Sequence, residues 1–446
     1  MSQMRVDARP VQELRADVLV VGGGASGLAV AVTAARQNLS VILIERYGFC
    51  GGGAVAGLSG TVCGLFAASE GTSVRPCQMV HGFVDEFLAV MRAKNGLSAP
   101  VRYGKTFTLV HNPIIWREAA DHLLQAAGVK VLLHTLVTSV FMDGDRVVGV
   151  EASTKQGRLI IMGAVVVDAS GDADVCAMAG LDTFMGDQGR VQNPTMLFRL
   201  QGVDVPRFLG VYGEDSILGY EIADLIEHVS DTGEFSLPRR KIFLFPTPNP
   251  HELLCNCTRI VGDDGRDLNP VLLEDMSAAE RLGRLQARQY ADFFRKYLAG
   301  CEQSFLVDTG VQVGVRQSRQ INGLACLAGQ DVVRAVKRPD GIARSPWPIE
   351  LHSGKAPKLV WIIDDYYEIP YGCFVPNRGE GLLVAGRCLS AEHEAMASAR
   401  VTAQCFSYGQ AIGHAAALCV KEDIAPRAVD GRDLRLLLNR DGALLD

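Results

Sequence analysis

No Cys-x-x-Cys pair occurs in this chain, although it carries twelve cysteines. That argues against a redox dithiol, a ribbon-type zinc site and a ferredoxin-like cluster. The thiols are scattered, and only Cys255 and Cys257 lie close, which reads as two thiols on one face of a strand. So many free thiols suit a reducing cytosol. No run of lysine and arginine stands out either. With 44 basic against 50 acidic side chains the formal charge is −6, and neither nucleic acid nor an anionic membrane surface is an expected partner. Long apolar runs are also missing. The most apolar early stretch, Val18 to Ala35, is interrupted by Gly22, Gly23, Gly24 and Gly27, so it reads as strand, turn and helix with no membrane span. The start lacks the apolar centre of a signal peptide, and there is no internal repeat or low-complexity segment. The expectation is a soluble, cytoplasmic protein.

At 446 residues the chain is too long for one core, so two domains are expected. Asp17 to Val21 reads as a buried parallel strand, Ala25 to Gln37 as a helix and Val41 to Ile44 as the next strand. Together they make one βαβ unit of about 30 residues. Ile115 to Ala127 has helical spacing, and Val129 to Leu133 returns as a strand. Thr138 to Met142 and Arg146 to Ala152 flank the turn signal Asp143-Gly144-Asp145 as a hairpin. Gly163 to Asp168 and Gly381 to Ala385 read as further buried strands. Lys241 to Phe245 reads as a strand, with helices over Ser277 to Leu298 and Val401 to Val420. The predicted fold class is α/β: a Rossmann-like dinucleotide-binding domain, discontinuous over 1–85, 112–180 and 370–446. Residues 86–111 and 181–369 form an inserted mixed α+β substrate or cap domain.

Gly22-Gly23-Gly24-Ala25-Ser26-Gly27 fits G-x-G-x-x-G. One glycine makes the tight turn, one admits a pyrophosphate to the backbone, and Gly27 lets helix and strand pack closely. The helix start then offers free N–H groups and the positive dipole end to phosphate. Glu45 ends the second strand, 23 residues after Gly22, where a carboxylate can bond ribose hydroxyls and repel a 2′-phosphate. A second glycine cluster, Gly51, Gly52 and Gly53 with Gly57 and Gly60, follows Glu45 and Arg46. It suits a chain running along an extended flavin dinucleotide, and points to FAD over NAD. Val384-Ala385-Gly386-Arg387 followed by a helix is a second flavin feature, since such a helix can aim its N-terminus at the flavin N1/O2 side.

The stretches VVGGGASGLAVAVTAAR, IERYGFCGGGAVAG, VVVDASGDADV, VGVRQSRQINGL, DDYYEIPYGCFVP, LLVAGRCLSAEHEA and GQAIGHAAAL run through nearly the whole chain. They resemble the FAD-dependent oxidoreductases related to the fumarate reductase and succinate dehydrogenase flavoproteins, in the glutathione-reductase-like superfamily. In that resemblance Ala169, Gly171 and Asp172 belong to a flavin motif, with Ser170 where threonine is usual. His393 falls where such relatives carry a substrate histidine. Arg400 lies seven residues further on, farther than in their motif. No histidine motif for covalent flavin linkage is present, so FAD is expected to be non-covalent.

The resemblance implies hydride transfer between flavin N5 and a small organic, carboxylate-bearing substrate. His393 is the candidate acid/base, with structural bonding to nearby backbone as the alternative. Arg316, Arg319 and Arg400 are candidate carboxylate anchors, and pairing beneath the flavin is the other reading for Arg316 and Arg319. Tyr366, Tyr367 and Tyr371 could line a pocket or simply pack. A second G-x-G-x-x-G is absent, so the electron acceptor is a quinone, an electron-transfer protein, oxygen or a transient nicotinamide. A flavoprotein subunit of a larger complex and an oxidase of a sugar or alkaloid-like substrate stay open, and a homo-oligomer is compatible with the sequence.

Overall fold

The computed structural model describes residues 11–71, 75–352 and 356–446. Its centre is a seven-stranded sheet. Lys130–Leu132, Val41–Ile44, Gln12–Val21 and Gly157–Asp168 run side by side and parallel. Val18 to Val20 and Val165 to Val167 are almost wholly buried, as β-branched residues covered on both faces should be. The twelve-residue strand Gly157–Asp168 is longer than its predicted core and forks the sheet. Its first half pairs antiparallel with Arg146–Thr154, which continues the hairpin to Leu136–Asp143. Its last residues pair parallel with Leu382–Val384.

Helix Ala25–Arg36 lies against the long helix Thr402–Glu422, and small residues set the spacing. A Cβ on Gly409 would stand 2.3 Å from Ser26 O, and one on Gly413 would stand 2.7 Å from Thr33 Cβ. Helix Pro113–Ala126 starts where the Asn112 side chain accepts from Ile114 N at 2.9 Å, a cap that stabilises a helix start by about 1 kcal/mol.

The second layer is a four-stranded antiparallel sheet ordered Phe243–Pro246, Glu252–Asn256, Phe198–Gln201, Phe305–Thr309. Helix Leu273–Tyr297 packs on it through Tyr290, Phe293 and Phe294, with Phe198, Cys255 and Cys257 in the same core. Its other face contributes Phe243, Phe245 and Leu254 to a smaller cluster with Leu58, Tyr103 and Trp347. This cluster joins the sheet to the rest of the molecule. Two segments assigned to the cap domain from sequence pack in the larger core instead. Phe87 and Met91 of helix Phe83–Ala93, and Ile321, Ile342, Ile349, Tyr367 and Ile369 beyond the cap sheet, all bury there. Local periodicity shows that these segments are apolar, but not which core they join.

Among the described residues, no helix is long and apolar enough to cross a membrane. No group of three or more His, Cys, Asp or Glu side chains among them could hold a metal ion.

Candidate active site

A cavity of about 330 Å³ opens at the carboxyl ends of the parallel strands, where open α/β sheets place their ligands. Val21, Ile44, Ala169 and Ala385, at or just beyond those strand ends, contribute to its wall. Gly22, Gly24, Ala25 and Ser26 line it together with Glu45, Arg46, Gly52, Gly53, Gly171, Asp172, Gly386 and Arg387. These residues are scattered in sequence, and the fold brings them to one wall.

Backbone sterics require glycine at three positions. Gly22 has φ +104°, and a Cβ there would stand 2.4 Å from Ala169 O. A Cβ on Gly27 would stand 1.8 Å from Gly22 O. Gly27 therefore packs beneath the turn and is not part of the cavity wall. Gly52, at φ +48°, would push a Cβ to 2.8 Å from Gly24 Cα, so the two glycine turns face each other at backbone distance. Glu45 is buried at the end of its strand and accepts from Gly23 N at 2.7 Å and Tyr47 N at 2.9 Å. Burial pushes its carboxyl up, against those two hydrogen bonds.

Asp168 is fully buried and does not line the cavity. It accepts from Ser170 N, Ser170 Oγ and Cys176 N, and so shapes the loop that presents Gly171 and Asp172. Asp172 Oδ1 accepts from Arg387 Nη2 at 2.9 Å and from Ser318 Oγ. Burial alone would raise this carboxyl, but Arg387, Ser318 and Arg46 outweigh it and hold it below the usual range. Arg319 donates to Asp172 O and pairs with Asp174, so it braces the loop and does not line the cavity. The helix whose N-terminus reaches the cavity starts at Thr402, well beyond Gly386, and Val401, Thr402 and Cys405 line the wall.

At the cap side the wall is made of Asn256, Arg316, Glu350, His352 and Arg400. Arg316 donates to Asn193 O at 2.8 Å and to Asn256 Oδ1 at 3.2 Å. Burial works against its charge first, then the neighbouring Arg239 and Arg400. Arg400 reaches only Gln192 Oε1 at 3.4 Å, and its Nε is buried without a partner. Glu350 Oε1 lies 2.9 Å from His352 Nε2 and accepts from Tyr103 OH at 2.7 Å. Burial would raise the Glu350 carboxyl, but His352 and Arg400 overcome it and hold it well below the carboxylate range. Burial, then Arg316, pushes the His352 imidazole well down.

His393, expected at the flavin from its distance after Gly386, is not on the cavity wall. The chain after Gly386 is diverted: Ala391 bridges Leu327, and Gly329 N donates to Glu392. His393 then opens helix His393–Ala399 facing the charges of Asp187 and Arg190. Tyr367 and Tyr371 are packed as well, with Tyr367 OH on Ser398 and Tyr371 OH on Pro426 O, and Tyr366 lies half-buried against Lys337 and Arg344, off the cavity wall. Asn256, Glu350 and His352 were not singled out in the sequence. A readable signal existed for the last two, because a strand at Ile349–Leu351 puts residues 350 and 352 on one face.

The residues fit FAD. Two opposed glycine turns and the N-terminus of helix Ala25–Arg36 suit a pyrophosphate, and Glu45 sits at the end of the second strand. Fold and cavity together define a dinucleotide-binding flavoenzyme. The sequence model for FAD-dependent oxidoreductases matches residues 17–438, so the chain belongs to that family, and it is an FAD-dependent enzyme. The fold is similar to that of a geranylgeranyl bacteriochlorophyll reductase-like protein of Thermoplasma acidophilum, with a TM-score of 0.50 at 13% identity over 96% of this chain and 83% of that one. A flavin-dependent brominase gives 0.49 at 14% identity over 96% and 83% of the two chains. The p-nitrophenol 4-monooxygenase of Pseudomonas putida gives 0.48 at 12% identity over 97% and 87%.

Proposed function

We propose that this enzyme oxidises or reduces a small carboxylate-bearing substrate by hydride transfer, with Arg316 and Arg400 as the carboxylate anchors. One observation carries the reading: on the cap side two guanidinium groups line the cavity wall and bond only neutral oxygens. Burying such charges is costly unless an anion meets them, and a guanidinium fork matches a carboxylate. The glycine turns, Glu45 and the Asp172–Arg387 wall would hold FAD non-covalently, and bound there it would supply the hydride-accepting or hydride-donating centre. His352, in place of His393, removes or returns the accompanying proton. Its Nε2–H donates to Glu350, which leaves Nδ1 as the acceptor, and the Tyr103 hydroxyl holds Glu350 in place. The kinship with fumarate-reductase flavoproteins is part of this proposal and rests on the sequence motifs. The electron acceptor is one of a quinone, an electron-transfer protein, oxygen or a transient nicotinamide.

The test is anaerobic mixing of the holoenzyme with panels of carboxylates, sugars and amines, followed by flavin absorbance. Bleaching by carboxylates, lost in His352→Gln and retained in His393→Ala, is the expected result. Bleaching by neutral or cationic compounds alone would overturn the substrate class. Loss in His393→Ala with retention in His352→Gln would restore the histidine expected from sequence.

A further inference from the structure

Behind the wall that carries Arg316 lies a second, much smaller cavity of about 10 Å³. Arg239, Arg259, Arg316, Asn193, Thr258 and His352 bound it. A space of that size suits one small, water-sized group, which favours a monatomic anion over sulfate, phosphate or a carboxylate. Three guanidinium groups surround it, and each of their side-chain hydrogen bonds ends on a neutral oxygen. Arg259 Nε bonds Asn193 Oδ1 at 2.8 Å, and Arg316 bonds Asn193 O and Asn256 Oδ1. Arg239 is only 3% exposed. Its Nε donates to Lys241 O at 2.7 Å and its Nη1 to Asn256 Oδ1 at 2.9 Å. Its remaining nitrogen, Nη2, is buried with no partner. The nearby carboxylate, Glu350, is engaged by Tyr103 and His352.

A guanidinium nitrogen without an acceptor, in a one-atom space ringed by cations, calls for a monatomic anion, because water brings no compensating charge. We propose that this cavity is a halide site, of the chloride class, between the cap sheet and the substrate wall. The ion would accept from Arg239 Nη2 and from Arg259. It would neutralise the cluster and hold Arg239, Asn256 and Arg316 in register from behind. This inference stands on the small cavity and its arginines, and does not depend on what the larger cavity binds.

Two measurements on the holoenzyme test it. Melting is followed in sodium chloride or bromide against sodium gluconate at matched ionic strength, and crystals soaked in bromide are examined by anomalous diffraction. A saturable rise in melting temperature with halide alone is expected, with bromide beside Arg239 Nη2. Arg259→Met, on the outer rim of the site, should weaken half-saturation at least tenfold while the flavin spectrum is unchanged. Equal stabilisation by gluconate would overturn the proposal. So would bromide found only beside Arg400 in the larger cavity, or a water in the small cavity with no bromide there. If Arg259→Met fails to fold, the wild-type diffraction result alone decides.

Discussion

Replacing Arg316 by methionine separates substrate anchoring from stability, because the two should move differently. The guanidinium donates at 2.8 Å to Asn193 O and at 3.2 Å to Asn256 Oδ1, and it stands among like charges. Methionine keeps most of the buried stem and removes the charge, which also relieves repulsion from Arg239 and Arg400. Asn256 Oδ1 still accepts from Arg239 Nη1, so the main bond lost within the protein is the one to Asn193 O. A hydrogen bond from a charged donor is worth about 1.5–3 kcal/mol. The loss to stability is therefore offset in part by relief of buried charge, and the melting temperature should change little. A carboxylate substrate loses its charge-assisted bond outright. At about 1.36 kcal/mol per factor of ten, kcat/KM for flavin reduction should fall about 10- to 150-fold. Stopped-flow reduction under anaerobic conditions with the best carboxylate of the panel measures it, and a thermal melt accompanies it. Arg316→Lys, which keeps charge but not the fork, should lie between. Unchanged kcat/KM in Arg316→Met, with intact flavin content, would refute the anchoring role.

Other perturbations probe the cradle and the core. Gly27→Ala places a methyl 1.8 Å from Gly22 O, a backbone atom that cannot retreat without opening the turn. It should yield protein without bound FAD, seen as loss of flavin absorbance, and normal FAD content would contradict the packing account. Glu45→Gln removes a buried charged acceptor, and FAD titration of the apoprotein should show about tenfold weaker binding, from about 1.5 kcal/mol for one charged hydrogen bond. An unchanged affinity would remove Glu45 from ribose recognition. His111 lies against Trp116 with ring centroids 4.6 Å apart, and neither ring nitrogen has a side-chain partner. Burial pushes its imidazole down to about 3. With an unfolded value near 6.5, the unfolded chain takes up the proton first, so stability is lost as pH falls below about 6.5 and the loss ends near the folded value. By pH 5 this amounts to about 2 kcal/mol. His111→Leu should remove that part of the acid dependence in urea unfolding at pH 7 and pH 5, and an identical loss in both proteins would refute it.

The nucleotide end of this protein was legible in its amino-acid order. A strand, a glycine turn, a helix and an acidic strand end are consecutive, and each is specified by local sterics: glycine where φ is positive or a Cβ would collide, β-branched residues where both faces are covered. The final helix was also readable, because its small residues at Gly409 and Gly413 match the close approach to Ser26 and Thr33. The substrate end was decided by tertiary structure. Arg239, Asn256, Arg316, Arg400 and the Glu350–His352 pair lie on separate elements, and only Glu350 and His352 have a fixed spacing to each other. Strand alternation turns Asn256 away from Cys255 and Cys257 towards Arg239 and Arg316. A pairing between Leu327 and Ala391 carries His393 away from the cavity. Local sequence could state which side chains are capable of chemistry, but the burial and like-charge crowding around Arg316 and His352 exist only once distant segments have packed.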